Sequence, residues 1–181
     1  MNKVEPIRDL KKIQCMKETL RQNNERDYMM FLIGINTALR VSDLLNLKVK
    51  DVKNKKYIKI NESKTGKVKK QKLNNNLITE IKKYIKGKDD EEYLFKSQKG
   101  ENRPISRIQA YKILNNAAKK CKLDEVGTHT MRKTYAYWHY KRFNDIATLQ
   151  EELNHSHPSI TLRYIGINQD IRDSYNDKFY L

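Results

Sequence analysis

The run Tyr28-Met29-Met30-Phe31-Leu32-Ile33-Gly34-Ile35 constrains this chain more than any other feature. It is far short of the about 20 apolar residues that cross a bilayer, so it spans nothing. It is also too continuously apolar for a helix with one wet face. Residues 26–38, which carry this run, read as a helix more buried than its neighbour. Residues 7–24 offer one wrapping partner: Leu10, Ile13, Met16 and Leu20 recur at helical intervals among Lys and Arg, which predicts an amphipathic helix.

The rest of the chain supplies further partners. Val41 to Leu47 reads as a short helix, with Leu44 and Leu47 on one side. The period then changes from helical to alternating at Tyr57-Ile58-Lys59-Ile60, Glu62 to Lys64 and Lys67 to Leu73, with Lys64-Thr65-Gly66-Lys67 as the turn, so a small antiparallel sheet is expected. Asn75 and Asn76 precede a helical pattern of Leu77, Ile78, Ile81, Tyr84 and Ile85 that stops at Gly87. Residues 88–100 form a charged connector with Tyr93-Leu94-Phe95 as a buried anchor. Ser106 can cap a helix to Cys121 with Ile108, Tyr111, Leu114, Ala118 and Cys121 on its apolar side, and a further helix carries Thr130 to Arg142. Asp145 can cap the next, buried through Ile146, Leu149 and Leu153, and Pro158 restarts the chain into the segment that holds Tyr164. The expected class is mainly α with a small antiparallel β-sheet (α+β), in one domain over residues 1–181, since domains usually run to about 100–200 residues.

Charge narrows the partners. Lys and Arg number 38 against 22 Asp and Glu, a formal net charge of +16. Such an excess favours polyanions, and nucleic acid first, because neutralising phosphates releases condensed counterions. No apolar signal core follows Met1, so a cytoplasmic home without membrane association is expected. Cys15 and Cys121 stand outside any CxxC or Cys/His metal spacing; they read as buried or free reduced thiols, with no metal and no cofactor implied. The aromatic stretch of Tyr135, Tyr137, Trp138 and Tyr140 suits base stacking but, at this density, suits core packing better.

Chemistry enters with His129-Thr130-Met131-Arg132. A His and an Arg three apart on a helix project from one face and can converge on one ligand, and a phosphate suits both. Downstream, Leu153-Asn154-His155-Ser156-His157-Pro158 leads to Leu162-Arg163-Tyr164, with His155 nine residues before the tyrosine. Upstream lie Ala38-Leu39-Arg40-Val41-Ser42-Asp43-Leu44-Leu45 and Ser63-Lys64-Thr65-Gly66-Lys67. The ordered set Arg40, Lys64, His129-x-x-Arg132, His155 and Tyr164 resembles the active site of the tyrosine recombinases, the phage-integrase family, over about residues 26–166. Three positions depart from the usual pattern: Asn154 stands where Gly is common, Asp43 where Glu is common, and Lys133 where His is common.

The resemblance implies a helical catalytic domain with a small sheet and an enzyme that cuts and rejoins DNA. Tyr164 would attack the phosphodiester to give a 3′-phosphotyrosyl link, Arg40 and Arg132 would hold the phosphate, and Lys64 would protonate the leaving oxygen, with Lys67 as its neighbouring alternative. His129 would help take the tyrosine proton and His155 would hydrogen-bond the phosphate. Lys67, Lys69, Lys133 and Arg163 are expected DNA contacts. The implied partners are double-stranded DNA, further copies of the chain in a tetrameric synapse, and an accessory DNA-bending protein. The source would be a phage or other mobile element, acting at the nucleoid. About 25 residues precede the resemblance, so the chain reads as a short form without the helical core-binding domain that many members carry. The tail from residue 167, with Ile171, Tyr175 and Phe179 on one stripe, is expected to dock on a neighbouring protomer. Two other activities fit the same scaffold: a non-catalytic DNA-binding accessory protein, and a nicking-closing enzyme of the type IB topoisomerase kind.

Overall fold

The computed structural model describes residues 4–63, 66–124 and 126–180. The elements run α1 (Leu10–Asn23), α2 (Glu25–Asn36), α3 (Val41–Leu45), α4 (Val49–Val52), β1 (Tyr57–Asn61), β2 (Val68–Lys72), α5 (Asn75–Tyr84), α6 (Arg107–Lys120), α7 (Thr130–Phe143), α8 (Ile146–Leu153), α9 (Pro158–Ile165) and α10 (Ile167–Asn176). The apolar run lies in α2, the more buried helix expected, and α2 is the central one. Met29, Met30, Phe31 and Ile33 of α2 are wholly buried, and α1, α5 and α7 pack around them. Each such side chain contributes about 1.5–3 kcal/mol by leaving water. Among the described residues no helix is long and apolar enough to cross a membrane.

The helix ends follow from local chemistry. Asn24 closes α1 and opens α2, its side chain accepting from the Arg26 amide. Asn74, one residue ahead of the expected pair, caps α5 by accepting from Leu77 N–H, and Ser106 and Asp145 cap α6 and α8 as expected. The first helix starts at Leu10 rather than Ile7, because Asp9 caps it. The residues before it lie along α7 instead: Ile7 donates its amide to Thr134 Oγ1 at 2.9 Å and accepts from Trp138 Nε1 at 2.9 Å.

Three expectations on packing are corrected. Leu10 is 62% exposed, and on α6 Ile108 and Tyr111 are 70% and 48% exposed, so the buried stripe of α6 is Ala110, Leu114, Ala117 and Ala118. Small alanines allow that helix to approach α1 closely, which a residue-by-residue count of large apolar side chains does not register. The sheet has two strands, paired antiparallel from Tyr57↔Lys72 to Asn61↔Val68; Glu62 and Ser63 fall beyond β1, and the turn residues Lys64 and Thr65 lie outside the described residues. Cys15 on α1 and Cys121 at the end of α6 form a disulfide across 106 residues, with Cα atoms 5.9 Å apart, rather than two thiols. Spacing rules detect local cysteine pairs, and this one exists only because α1 and α6 are packed together.

Two apolar clusters result. The larger unites α1 through α6 with the inner faces of the sheet and of the Leu94-Phe95 anchor. The smaller contains Ala38, Ala136, Tyr137, Leu149, Leu153, Ile165 and Ile167, and holds α8 and α9 against α7. Tyr135, Tyr137, Trp138 and Tyr140 of α7 pack into these clusters, as the density of rings suggests.

Candidate active site

The site lies where the two clusters meet. Its floor is the start of α7, which approaches α2 so closely that a Cβ on Gly34 would lie 2.5 Å from Met131 Sδ. Thr130, buried, fixes the first turn by accepting the Gly127 amide at 3.0 Å. His129 is thereby the N-cap residue rather than a member of the helix, and Arg132 sits one turn in.

Arg132 is almost fully buried, at 4% exposure. One terminal nitrogen donates to the Ala38 carbonyl and the other to the Leu153 carbonyl, both at 2.7 Å. The guanidinium is therefore immobilised between the segment that leads to Arg40 and the segment that leads to His155. Each terminal nitrogen carries a second N–H, so the fork keeps donors for an anion. Arg40, ahead of α3, pairs with Glu62 at 2.5 Å, the carboxylate nearly wholly buried. Its own acid neighbour Asp43 is used elsewhere: Asp43 accepts from Ser63 N–H at 3.0 Å and Ser63 Oγ at 2.8 Å. That pair anchors the chain directly before Lys64, which itself lies outside the described residues.

His155 follows the C-terminal end of α8. Its Nδ1 lies 2.9 Å from Thr161 Oγ1, and Thr161 is fully buried. Burial first, then the charges of Arg132 and Arg40, hold the His155 pKa below the ordinary histidine value. Asn154, one residue earlier, adopts the left-handed conformation with φ 52° and ψ 47°. That explains the departure noted in the sequence: glycine reaches this region freely, and asparagine is the side chain that tolerates it best.

Tyr164, on α9, points into the site. Its ring meets His155 edge-on, with centroids 5.2 Å apart, and the Lys133 ammonium lies 5.1 Å from the ring centre. The hydroxyl is buried without a well-aligned hydrogen bond. Burial raises its pKa, while Arg132 opposes the rise through charge and as a nearby donor, and Arg40 through charge. His129 is solvent-exposed in good part, yet partial desolvation and then the charges of Arg107, Arg132, Lys133 and Arg40 lower its pKa.

Five of the six expected catalytic residues, Arg40, His129, Arg132, His155 and Tyr164, thus converge. Of the expected DNA contacts, Lys67 and Arg163 are exposed and Lys133 is half-buried beside Tyr164. Lys69 differs from them: it turns inward, and its ammonium donates to the Ala38 carbonyl at 3.0 Å and the Glu152 carbonyl at 2.6 Å. Sequence reasoning missed Glu62 and Thr161, the partners of Arg40 and His155. Glu62 had one visible signal, an acid at the end of a strand pattern immediately before Ser63-Lys64.

Two guanidinium groups beside a buried phenol, with two imidazoles whose pKa values are lowered, form a site suited to seating a phosphate against a tyrosine nucleophile. The chain belongs to the phage integrase family, whose model matches residues 8–170. It is 55% identical over 170 residues to the probable integrase/recombinase YoeC of Bacillus subtilis (strain 168), covering 94% of this chain and 93% of the relative. It is 31% identical over 158 residues to the tyrosine recombinase XerA of Pyrococcus furiosus, covering 86% of this chain and 55% of that relative. Among solved structures, the fold matches XerA recombinase with a TM-score of 0.76 at 20% identity, covering 98% of this chain and 67% of that one. It also matches XerH site-specific recombinase bound to difH substrate, with a TM-score of 0.72 at 21% identity, covering 90% and 51%.

Proposed function

We propose that this chain is a site-specific DNA recombinase of the tyrosine type that cleaves double-stranded DNA through Tyr164 and rejoins it. The observation that carries this reading is the convergence of Arg40, Arg132, His155 and the buried Tyr164 hydroxyl on one site at the seam of the two clusters. The Tyr164 oxygen attacks the scissile phosphorus, a 3′-phosphotyrosyl bond forms, and the 5′-oxygen leaves with a proton from Lys64. The bond energy is kept in the covalent link, so rejoining is the reverse attack by a 5′-hydroxyl and needs no external energy source. Arg40 and Arg132 stabilise the charge that grows on the non-bridging oxygens, a contribution of about 3 kcal/mol for each well-placed donor. His155 donates to the phosphate through its free ring edge, and His129 helps accept the tyrosine proton.

Desolvation keeps the Tyr164 hydroxyl protonated before DNA arrives. Attack therefore requires proton transfer in step with bond formation, which is the work of a neutral histidine.

DNA is the partner that the +16 charge favours, and the similar XerH structure holds its own DNA substrate. A tetrameric synapse, an accessory DNA-bending protein, an origin in a mobile element and action at the nucleoid complete the reading. Ile171, Tyr175 and Phe179 of the tail are 43%, 68% and 70% exposed, an apolar stripe suited to a neighbouring protomer. Removing residues 169–181 is then expected to weaken synapsis while leaving cleavage of a single site.

The test is a duplex carrying a nick near the cut, so that the short product strand diffuses away and traps the intermediate. Because the target sequence is unknown, the probe is a pool of such duplexes with randomised flanks. Wild-type protein is expected to yield an SDS-resistant protein–DNA adduct and Tyr164→Phe none. Absence of adduct with the wild type overturns the reading in favour of a DNA-binding accessory.

A further inference from the structure

We propose that Lys69 is a positioning residue for strand cleavage, its ammonium tying the peptide two residues before Arg40 to the helix end three residues before His155. The inference rests on the recombinase reading above.

Strand β2 alternates, with Lys69 and Gln71 turned inward and Val68, Lys70 and Lys72 outward. An inward strand face normally packs apolar side chains on a core; here it presents an ammonium and an amide to one peptide unit. Gln71 Oε1 accepts the Ala38 N–H at 3.2 Å, and Lys69 Nζ donates to the Ala38 carbonyl at 3.0 Å. The second Lys69 bond, at 2.6 Å, reaches the Glu152 carbonyl in the last turn of α8. Arg132 makes the parallel pair of bonds, to Ala38 and to Leu153. Two cations on different elements therefore hold the same two segments at a fixed separation, and each segment carries one phosphate-facing residue onward.

Satisfying backbone groups does not by itself explain the lysine. The Ala38 carbonyl already has a donor in Arg132. Burying an ammonium is unfavourable even when it is hydrogen-bonded, and an apolar chain of similar length would fill the same space without that desolvation. Desolvation first, then the charge of Arg132 and to a lesser degree Arg40, against the opposing charges of Glu62 and Glu152, bring the Lys69 pKa down to about 8. The charged groups that face it are Arg132 from α7, Arg40 before α3, Glu62 beyond β1 and Glu152 from α8, whose carboxylate accepts from the Tyr135 hydroxyl at 2.6 Å. A charge held at such a disadvantage between two catalytic segments has a role in their geometry. An error of about 1 Å in the placement of a reacting group lowers rates by about a hundredfold.

Wild type, Lys69→Met and Lys69→Arg are compared on the randomised nicked-duplex pool, measuring the single-turnover rate of adduct formation, the half-saturating DNA concentration and the melting temperature. Lys69→Met is expected to melt no lower than wild type and to bind DNA within about threefold, yet to form adduct about 10–100-fold more slowly. Lys69→Arg, which keeps a cation able to span both carbonyls, is expected to recover most of the rate. It is also expected to remove the part of the wild-type decline above pH 8 that comes from loss of the lysine proton. An adduct rate for Lys69→Met equal to wild type overturns the proposal. So does a rate that falls only in step with DNA affinity, which makes Lys69 a DNA contact, or one that falls with the melting temperature and is not rescued by arginine, which makes it structural. If Lys69→Met does not fold, the arginine variant and its pH profile decide alone. No adduct with wild type overturns the recombinase reading itself and this inference with it.

Discussion

The two apolar clusters of this molecule are built differently. The larger is a conventional interior of Leu, Ile, Met and Phe gathered around α2. The smaller has seven buried residues, two of them alanines, and polar bonds join its elements: Arg132 and Lys69 to the end of α8, Tyr135 to Glu152, and His155 to Thr161. Arg8 adds a salt bridge of 3.2 Å to Asp170 at the far side. Arg132 is held through Ala38 and Leu153, both residues of the smaller cluster, and Tyr164, the proposed nucleophile, packs against that cluster too. Segments with few apolar contacts open at lower free energy than the core. The division thus places Tyr164, the proposed nucleophile, beside the cluster with fewer apolar contacts.

That contrast can be broken most forcefully in the large cluster. Phe31→Ala is expected to lose about 3–5 kcal/mol through transfer and cavity terms, and to lower the urea midpoint of the whole chain. Leu149→Ala in the small cluster is expected to lose about 2–4 kcal/mol. Its signature in hydrogen exchange is faster opening confined to α8, α9 and α10, with α2 protected as before; equal acceleration in both regions would show a single cooperative unit. Next in size, Glu62→Gln leaves the Arg40 guanidinium without its counter-charge. The expected loss is about 2–4 kcal/mol, toward the lower end because the arginine side chain is 17% exposed. Added phosphate or sulfate is expected to recover part of that loss, as an anion takes the place of the carboxylate.

Smaller effects sharpen the same boundary. Asn154→Ala is expected to cost about 1–2 kcal/mol because alanine is forced into the left-handed region, whereas Asn154→Gly is expected to be near neutral. The smallest effect is one of pH. His155 and His129 have folded-state pKa values below the ordinary one, so as pH falls through about 6.5 the unfolded chain takes up protons first and stability declines. A urea midpoint that drops modestly between pH 7.5 and 5.5, and drops less in His155→Gln, is the expected outcome.

How much of this the sequence reveals depends on the range of the interaction. The burial of α2 was legible in the run from Tyr28 to Ile35, which offers no polar face. That Arg40, His129, Arg132, His155 and Tyr164 would come together was legible from their order and local context. Partner choice was not. Arg40 had Asp43 three residues away as a plausible mate, yet pairs with Glu62, since the strand end reaches it and Asp43 is taken by Ser63. Lys69 looked like its exposed neighbours Lys67 and Lys70, and only the two-residue alternation of β2 against α8 turns it inward. The Cys15–Cys121 link and the alanine face of α6 likewise depend on which helices meet. Local patterns report periodicity well and report third parties poorly.

Ala38 carries a further consequence. Its side chain is a methyl group, but its peptide unit receives Lys69, Arg132 and Gln71. A scan that replaces side chains by alanine cannot perturb this position, because the native residue is already alanine. The information that places Arg40 is thus written in the main chain, where most substitutions leave no trace. It becomes visible only to changes that edit the backbone itself, such as a proline that removes the N–H or an ester in place of the amide.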